Sequence, residues 1–157
     1  MTKQLLLTPI GQIFHDQKST YLQLEPSYFD AMSGLAGFSH LQIIWWFDQA
    51  PSGNHPWIEE QPYRQGPKQL GTFATRSMVR PNPLALSCSG ITHLDQASGR
   101  IYLDYLDAAD QTPVLDLKPY TPSLDRVENP KVPAWCANWP KNVETSGSFD
   151  WGTVFGF

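Results

Sequence analysis

Fourteen prolines and eleven glycines break this 157-residue chain at such short intervals that no long helix is predicted anywhere in it. The breaks leave short runs of the kind strands use, joined by irregular connections. The length fits one domain. At 41% hydrophobic and 17% charged residues, the chain can fill a packed core and does not read as disordered. The expected fold class is mainly β, with one short helix.

Residues 5–14 read as a first strand broken by Thr8-Pro9, with Gly11 placed for a bulge or a close backbone approach. Thr20–Leu24 alternates in period two and reads as a second strand. Ser27 is the predicted N-cap of the short helix, which puts Tyr28, Met32 and Leu35 on one face and ends at Gly34 and Gly37. Residues 40–47, HLQIIWWF, are apolar almost throughout, which predicts a strand buried on both faces. Residues 48–70 are rich in Pro, Gly, Gln and His and read as a long exposed loop. Further strands are expected from about residue 71 and over 84–88, 101–106 and 114–117, with 96–99 as a hairpin turn. After Pro119 the periodicity fades. Residues 1–125 are read as the domain, and 126–157, with Trp135, Trp139 and Trp151 among prolines, as an extended aromatic tail packed on the domain or on a partner subunit.

Several function classes lose support on composition. The first fourteen residues lack a secretory h-region and cleavage site, and no apolar run reaches membrane-spanning length, so a cytoplasmic protein without a membrane partner is expected. Cys88 and Cys136 give neither a disulfide framework nor metal-ligand spacing, and both read as buried thiols; no metal is expected. The net charge of −4 argues against non-specific nucleic-acid binding by the whole surface. Its distribution says more. Residues 61–94 hold Arg64, Lys68, Arg76 and Arg80 and no acid, whereas residues 95–125 hold six aspartates against Arg100 and Lys118. A basic segment followed by an acidic one suits a mixed-charge ligand, although ordinary surface pairing accounts for it as well.

Two segments carry chemistry. In residues 71–87, GTFATRSMVRPNPLALS, Pro81 and Pro83 bias Arg80 and Asn82 toward extended backbone. Asn82 would then present an amide suited to reading a purine edge, and a nearby arginine suits a carboxylate or phosphate. The same stretch also reads as a Pro-stiffened surface turn. In residues 106–120, LDAADQTPVLDLKPY, Asp107 and Asp110 precede Thr112-Pro113, and Asp116 and Lys118 alternate along the next strand. Such acids line ligand-binding rims or simply face solvent.

These blocks, together with GLAGFSHL at 34–41, resemble the TsaA-like family of S-adenosylmethionine-dependent tRNA (adenine) N-methyltransferases, which act on threonylcarbamoyladenosine beside the anticodon. The family pattern reads G-x-F-A-T-R-S-x-x-R-P-N-P-[IL]-G-[LM]-S, then L-D-x-x-D-G-T-P-V-[LV]-D-[IL]-K-P-Y. The resemblance runs in order from about Ile10 to Asp125. It implies a compact β-barrel, a homodimer, bound S-adenosylmethionine and tRNA as substrate. Carried onto this chain, it implies cofactor contacts by Phe73, Arg76, Arg80, Asn82, Leu84, Asp107, Asp110, Thr112, Val114 and Lys118. An adenine exocyclic amine is a weak nucleophile, so a hydrogen-bond acceptor beside it would help. Asp110, Asp116 and His40 are the candidates for that role, and Tyr120 or a loop tryptophan for stacking on the acceptor base. His40 also reads as a packed, hydrogen-bonded histidine.

The chain departs from the pattern in places. Ala85 and Gln111 stand where the family has glycine, as does Tyr105 before Leu106. If Gln111 occupies a turn that wants positive φ, it pays a conformational cost. Many relatives also carry a basic Ser-Pro-aromatic-Lys and Pro-Arg-Gln block, where this chain runs from Phe14-His15-Asp16-Gln17-Lys18 straight to Thr20. Two other readings therefore stand beside the tRNA enzyme: a methyltransferase for a small molecule, and a cofactor-binding module without turnover.

Overall fold

The computed structural model describes residues 5–51 and 53–156; positions 1–4 and 157 at the outer ends of the expected domain and tail, and Ser52 of the expected loop, lie outside the described residues. The chain divides into two compact units, one of residues 1–50 and 82–125, the other of residues 51–81 and 126–157.

The first unit is a closed antiparallel barrel. Its strands are β1 (Gly11–His15), β2 (Thr20–Leu24), β3 (His40–Trp46), β6 (Leu84–Asp95), β7 (Arg100–Leu103) and β8 (Pro113–Pro119), in the order β1-β2-β7-β6-β3-β8. Alternation sets which side chains enter. Ile13, Leu22, Leu41, Ile43, Ile101 and Val114 are fully buried, and Leu24, Trp45, Leu103, Leu106 and Met32 complete the core. Burying a Leu or Ile side chain is worth about 1.5–3 kcal/mol, so this interior is the main source of the barrel's stability.

Gly11 does sit at a close approach. A β-carbon there would land on the Gln23 carbonyl of the paired strand. Gly99 adopts φ +70 in the expected turn at 96–99, with the Phe29 ring packed where a side chain would go.

Four local expectations change. Ser27 caps nothing: Pro26–Met32 is a tight 3-10 turn whose N-cap is Glu25, without a side-chain cap bond. Proline at its first position and the left-handed Gly34 (φ 83) hold it short. The strand at 40–46 is buried on one face rather than two, because a barrel strand has an inside and an outside; Leu41, Ile43 and Trp45 point in, while Ile44 and Trp46 stay half-buried outside. The third concerns residue 71, which ends a strand instead of starting one, and Thr72–Ala74 form a 3-10 turn. The fourth is the loop at 48–70, which contains strand β4 (Ile58–Glu60), paired with β5 (Gln69–Gly71).

The second unit is that hairpin with residues 126–157. The C-terminal segment coils through short turns, including one helical turn at Val143–Ser146, capped by the Asn142 side chain on the Thr145 N–H. Its rings gather around Tyr63: Trp135 stacks at 5.1 Å, Trp139 meets it edge-on at 5.1 Å, and Trp151 packs on Trp139 at 5.4 Å. Burial among these rings, with the Glu59 charge adding to it, pushes the Tyr63 phenol up. Cys136 is buried and Cys88 half-buried, and no disulfide joins them.

Candidate functional site

In the second unit, residues 72–80 form a loop tied by its own side chains. Arg80 donates Nη1 to the carbonyls of Thr75 at 2.9 Å, Thr72 at 3.3 Å and Ser77 at 3.3 Å. The Oγ1 of Thr75, itself buried, lies 2.7 Å from Glu59 Oε1 and 3.0 Å from the Thr72 carbonyl, with its one proton between these two acceptors. One charged nitrogen shared among three carbonyl acceptors makes strong bonds. The loop therefore holds its shape without a ligand. Phe73 projects from it at 82% exposure, and the exposed Arg76 guanidinium has no carboxylate partner among the described residues.

In the barrel unit, Phe47 N–H donates to the Pro83 carbonyl at 2.8 Å and closes the base of the β3–β6 connection. Beside it Asn82 is exposed with its amide unspent, and Leu84 is 38% exposed. The aspartate loop leads into β8. His15 N–H donates to Asp110 Oδ1 at 2.9 Å, Gln111 N–H to the Ile13 carbonyl at 2.7 Å, and Gln12 Nε2 to the Gln111 carbonyl at 3.1 Å. The His15 ring sits 2.8 Å from the Ala108 carbonyl and 3.0 Å from Thr20 Oγ1. Asp110 is held below the usual aspartate range, chiefly by the His15 N–H. Gln111 is in the left-handed region at φ 64, the turn its missing glycine would have favoured. Thr112 and Val114 are buried, Val114 wholly in the barrel core, while Asp107 is exposed with no hydrogen-bond or ion-pair partner among the described residues.

Asp116 and Lys118 face outward from β8 and pair at 2.7 Å; that bond, and then the Asp116 charge, raises the Lys118 ammonium above its ordinary value. Asp116 also accepts from the Leu117 N–H at 2.9 Å. At the far end of β8, Tyr120 N–H donates to the His40 carbonyl at 3.0 Å, the two rings meet at 6.2 Å, and Ser39 Oγ lies 2.8 Å from His40 Nδ1. The structure thus groups His40 with Tyr120 and Asp116 with Lys118. It does not bring Asp110 to His40 and Tyr120, because they flank opposite ends of a seven-residue strand, a separation of about 20 Å at strand rise. The loop tryptophan, Trp57, is 44% exposed in the second unit.

Sequence reasoning missed the contribution of His15, which fastens the aspartate loop from 95 residues away. It also missed a nest in which Asp104 Oδ1 accepts from Ser89 Oγ at 3.0 Å, Gly90 N–H at 2.9 Å and Tyr105 N–H at 2.7 Å. Gly90 carries the only sequence signal for it, since a β-carbon there would strike the Asp104 carboxylate. Among the described residues no three His, Cys, Asp or Glu side chains gather as a metal site, and no helix is long and apolar enough to cross a membrane.

The barrel unit, closed by six antiparallel strands with an aspartate loop before the last, defines the class: a small β-barrel protein. The family model of the tRNA-methyltransferase O N-terminal domain matches residues 3–126, and the chain belongs to that family. It is 40% identical over 97 residues to the tRNA (adenine(37)-N6)-methyltransferase of Escherichia coli K12, covering 59% of this chain and 40% of that protein. A protein of Pyrococcus horikoshii, described as a probable S-adenosyl-L-methionine-binding protein, is 31% identical over 121 residues, covering 76% of this chain and 85% of that one. A crystal structure of TrmO superposes with a TM-score of 0.65 at 29% identity, over 83% of this chain and 64% of that one. TrmO from Pseudomonas aeruginosa gives 0.63 at 29% identity, over 82% and 62%. The match thus spans less than half of the Escherichia coli enzyme.

Proposed function

We propose that this chain binds S-adenosylmethionine and transfers its methyl group to the exocyclic amine of an adenine in tRNA, the threonylcarbamoyl-modified adenine beside the anticodon. The observation that carries the reading is which side chains the fold leaves unspent. Arg80 and Asp110 are tied into their own loops and Thr112 and Val114 are buried, whereas Phe73, Arg76, Asn82, Leu84 and Asp107 remain open. In the barrel unit Asn82 offers an amide suited to the adenine edge and Asp107 a carboxylate suited to ribose hydroxyls; in the second unit Arg76 offers a guanidinium suited to a carboxylate and Phe73 an aromatic face suited to a sulfonium.

When bound, the cofactor would supply a methyl group already activated on sulfur, with the neutral thioether as the leaving group. What remains for the chain is to align the acceptor and take one proton from its nitrogen. We assign that task to Asp116, half-exposed on the outer wall beside Lys118, because Asp110 is already engaged in holding β1. The separation of Asp110 from His40 and Tyr120 along one strand supports a homodimer, in which a second copy supplies the missing end. The apolar outer wall with Leu84 at 38% and Leu86 at 49% exposure is what that copy would cover. A cytoplasmic setting, where tRNA is found, belongs to the same reading.

The test is calorimetric titration with S-adenosylmethionine, repeated on Asn82→Ala, followed by methyl transfer to bulk tRNA and mass analysis of its nucleosides. Saturable binding weakened by Asn82→Ala, with a methyl on the adenine amine, is the expected result. Binding without transfer to tRNA at any salt would leave the small-molecule enzyme or the non-catalytic module. No binding would remove the cofactor reading itself.

A further inference from the structure

Four rings stand in register across four neighbouring strands on the outer wall of the barrel. Phe14 pairs with Tyr21, Tyr21 with Tyr102, and Tyr102 with His93. Successive ring centroids lie 5.6, 5.4 and 5.6 Å apart, with planes inclined by 20°, 40° and 43°. The last step exists because the register shifts between Ile91 and His93: this bulge turns His93 outward, opposite Tyr102. Arg100 lies over the Tyr21 ring at 5.0 Å and donates Nε to Gln23 Oε1 at 2.9 Å. It also bonds the Tyr102 side chain and makes no ion pair among the described residues; Asp95, opposite it in register, gives both oxygens to Ser98, at 3.2 and 2.7 Å.

Cross-strand aromatic pairs stabilise a sheet, and that alone would explain two rings. It does not explain why the outward side chains in register here, Gln12, Phe14, Tyr21, Gln23, Arg100, Tyr102, His93 and Asp95, are all aromatic, amide or charged, with only Thr92 of the bulge exposed beside them. The wall carrying Leu84 and Leu86 has the aliphatic surface a protein partner wants. This one has the makings of a stacking platform: tilted rings half open to solvent beside a guanidinium that Gln23 holds in place. Bases inside a duplex already cover each other's faces, so the occupant is single-stranded.

We propose that the Phe14–Tyr21–Tyr102–His93 row, with Arg100, binds unpaired nucleotides of RNA by stacking. In naming tRNA loop nucleotides as the source, the proposal rests on the methyl-transfer reading; the surface itself does not.

Fluorescence anisotropy of a labelled, unstructured RNA oligonucleotide and of its duplex tests this, without S-adenosylmethionine present. Wild-type protein is expected to prefer the single strand. The Tyr21→Val, Tyr102→Val double variant keeps strand-forming side chains but removes two faces, and should weaken binding by about 10-fold or more, while Tyr21→Phe, Tyr102→Phe retains it. One phosphate contact through Arg100 predicts a shallow salt slope of about −0.7 in log K against log salt, reduced in Arg100→Gln. Absence of single-strand binding by the wild type, or unchanged binding by the folded Val variant, overturns the proposal. So does a change of oligomeric state in that variant by sedimentation with no loss of RNA binding, which would make the wall a protein interface. Tyrosine-dependent RNA binding in a protein that binds no S-adenosylmethionine would keep the platform and remove the methyl-transfer reading.

Discussion

Nη1 of Arg80 lies 2.9 Å from the carbonyl oxygen of Thr75, five residues back along the same loop. A cation in a segment with no acids thereby acts as the clasp of residues 72–80, holding Phe73 and Arg76 out toward solvent.

Arg80→Lys keeps the charge, but the shorter ammonium does not reach the place where Nη1 meets the carbonyls of Thr72, Thr75 and Ser77. Loosening of the loop by about 1–3 kcal/mol is expected. Amide exchange should speed up at Ser77 and Val79, whose N–H groups donate to Thr75 Oγ1 and Ser77 Oγ, while barrel amides stay protected. Unchanged exchange would mean the loop is held by its threonines alone.

Gln111 at φ 64 carries the cost of a left-handed backbone that glycine avoids. Against this stands the extra freedom glycine has in the unfolded chain. Gln111→Gly should be more stable by about 0.5–1 kcal/mol, read by denaturant unfolding. Its side-chain contact to Asp110, at 3.4 Å, is too long to reverse the sign.

Gly11→Ala should destabilise the barrel. The new carbon meets the Gln23 carbonyl and the Leu24 α-carbon, both backbone of the paired strand, and neither can rotate away. A loss of about 1–3 kcal/mol is expected in urea unfolding. Gly34→Ala, with open space around it, would pay only for its positive φ.

Asp110 is held below the ordinary aspartate value by the His15 N–H, so its contribution to stability is complete above that ordinary value and is lost as pH falls through the lower folded one. Asp16 and Asp95, held low by hydrogen bonds in their own turns, act with the same sign. Asp110→Asn keeps an acceptor for His15 but no longer titrates. Thermal unfolding from neutral to strongly acid pH should show a shallower acid decline in this variant than in wild type.

The Asp116–Lys118 pair is solvent-facing, at 48% and 63% side-chain exposure. Such pairs contribute little to stability. Asp116→Asn should therefore leave the unfolding midpoint where it is. A fall in methyl transfer at unchanged S-adenosylmethionine affinity in that variant would place Asp116 beside the acceptor; equal transfer would remove it from the chemistry.

Much of the barrel was legible because its alternation is local. Thr20–Leu24 emerged with the expected bounds, and Gly11 and the turn at 96–99 took their expected conformations. The strand at 40–46 misled because its outer face carries Ile44 and Trp46, and hydropathy does not distinguish a second buried face from an exposed apolar wall. The hairpin within residues 48–70 was hidden by strands of three residues each, too short to display a period. The motif residues were legible as a set, but not the division of labour among them.

By itself, then, the sequence determined the strand-rich fold class, the inward face of most strands and the two motif blocks, because each depends on neighbours a few residues apart. Only the tertiary structure decided which of those motif residues are free to meet a ligand. Asp110 is fastened by an amide 95 positions away, and the ring row assembles from four strands whose register a bulge adjusts. Such pairings come from barrel closure, which sums weak contacts over distant parts of the chain that no local pattern encodes.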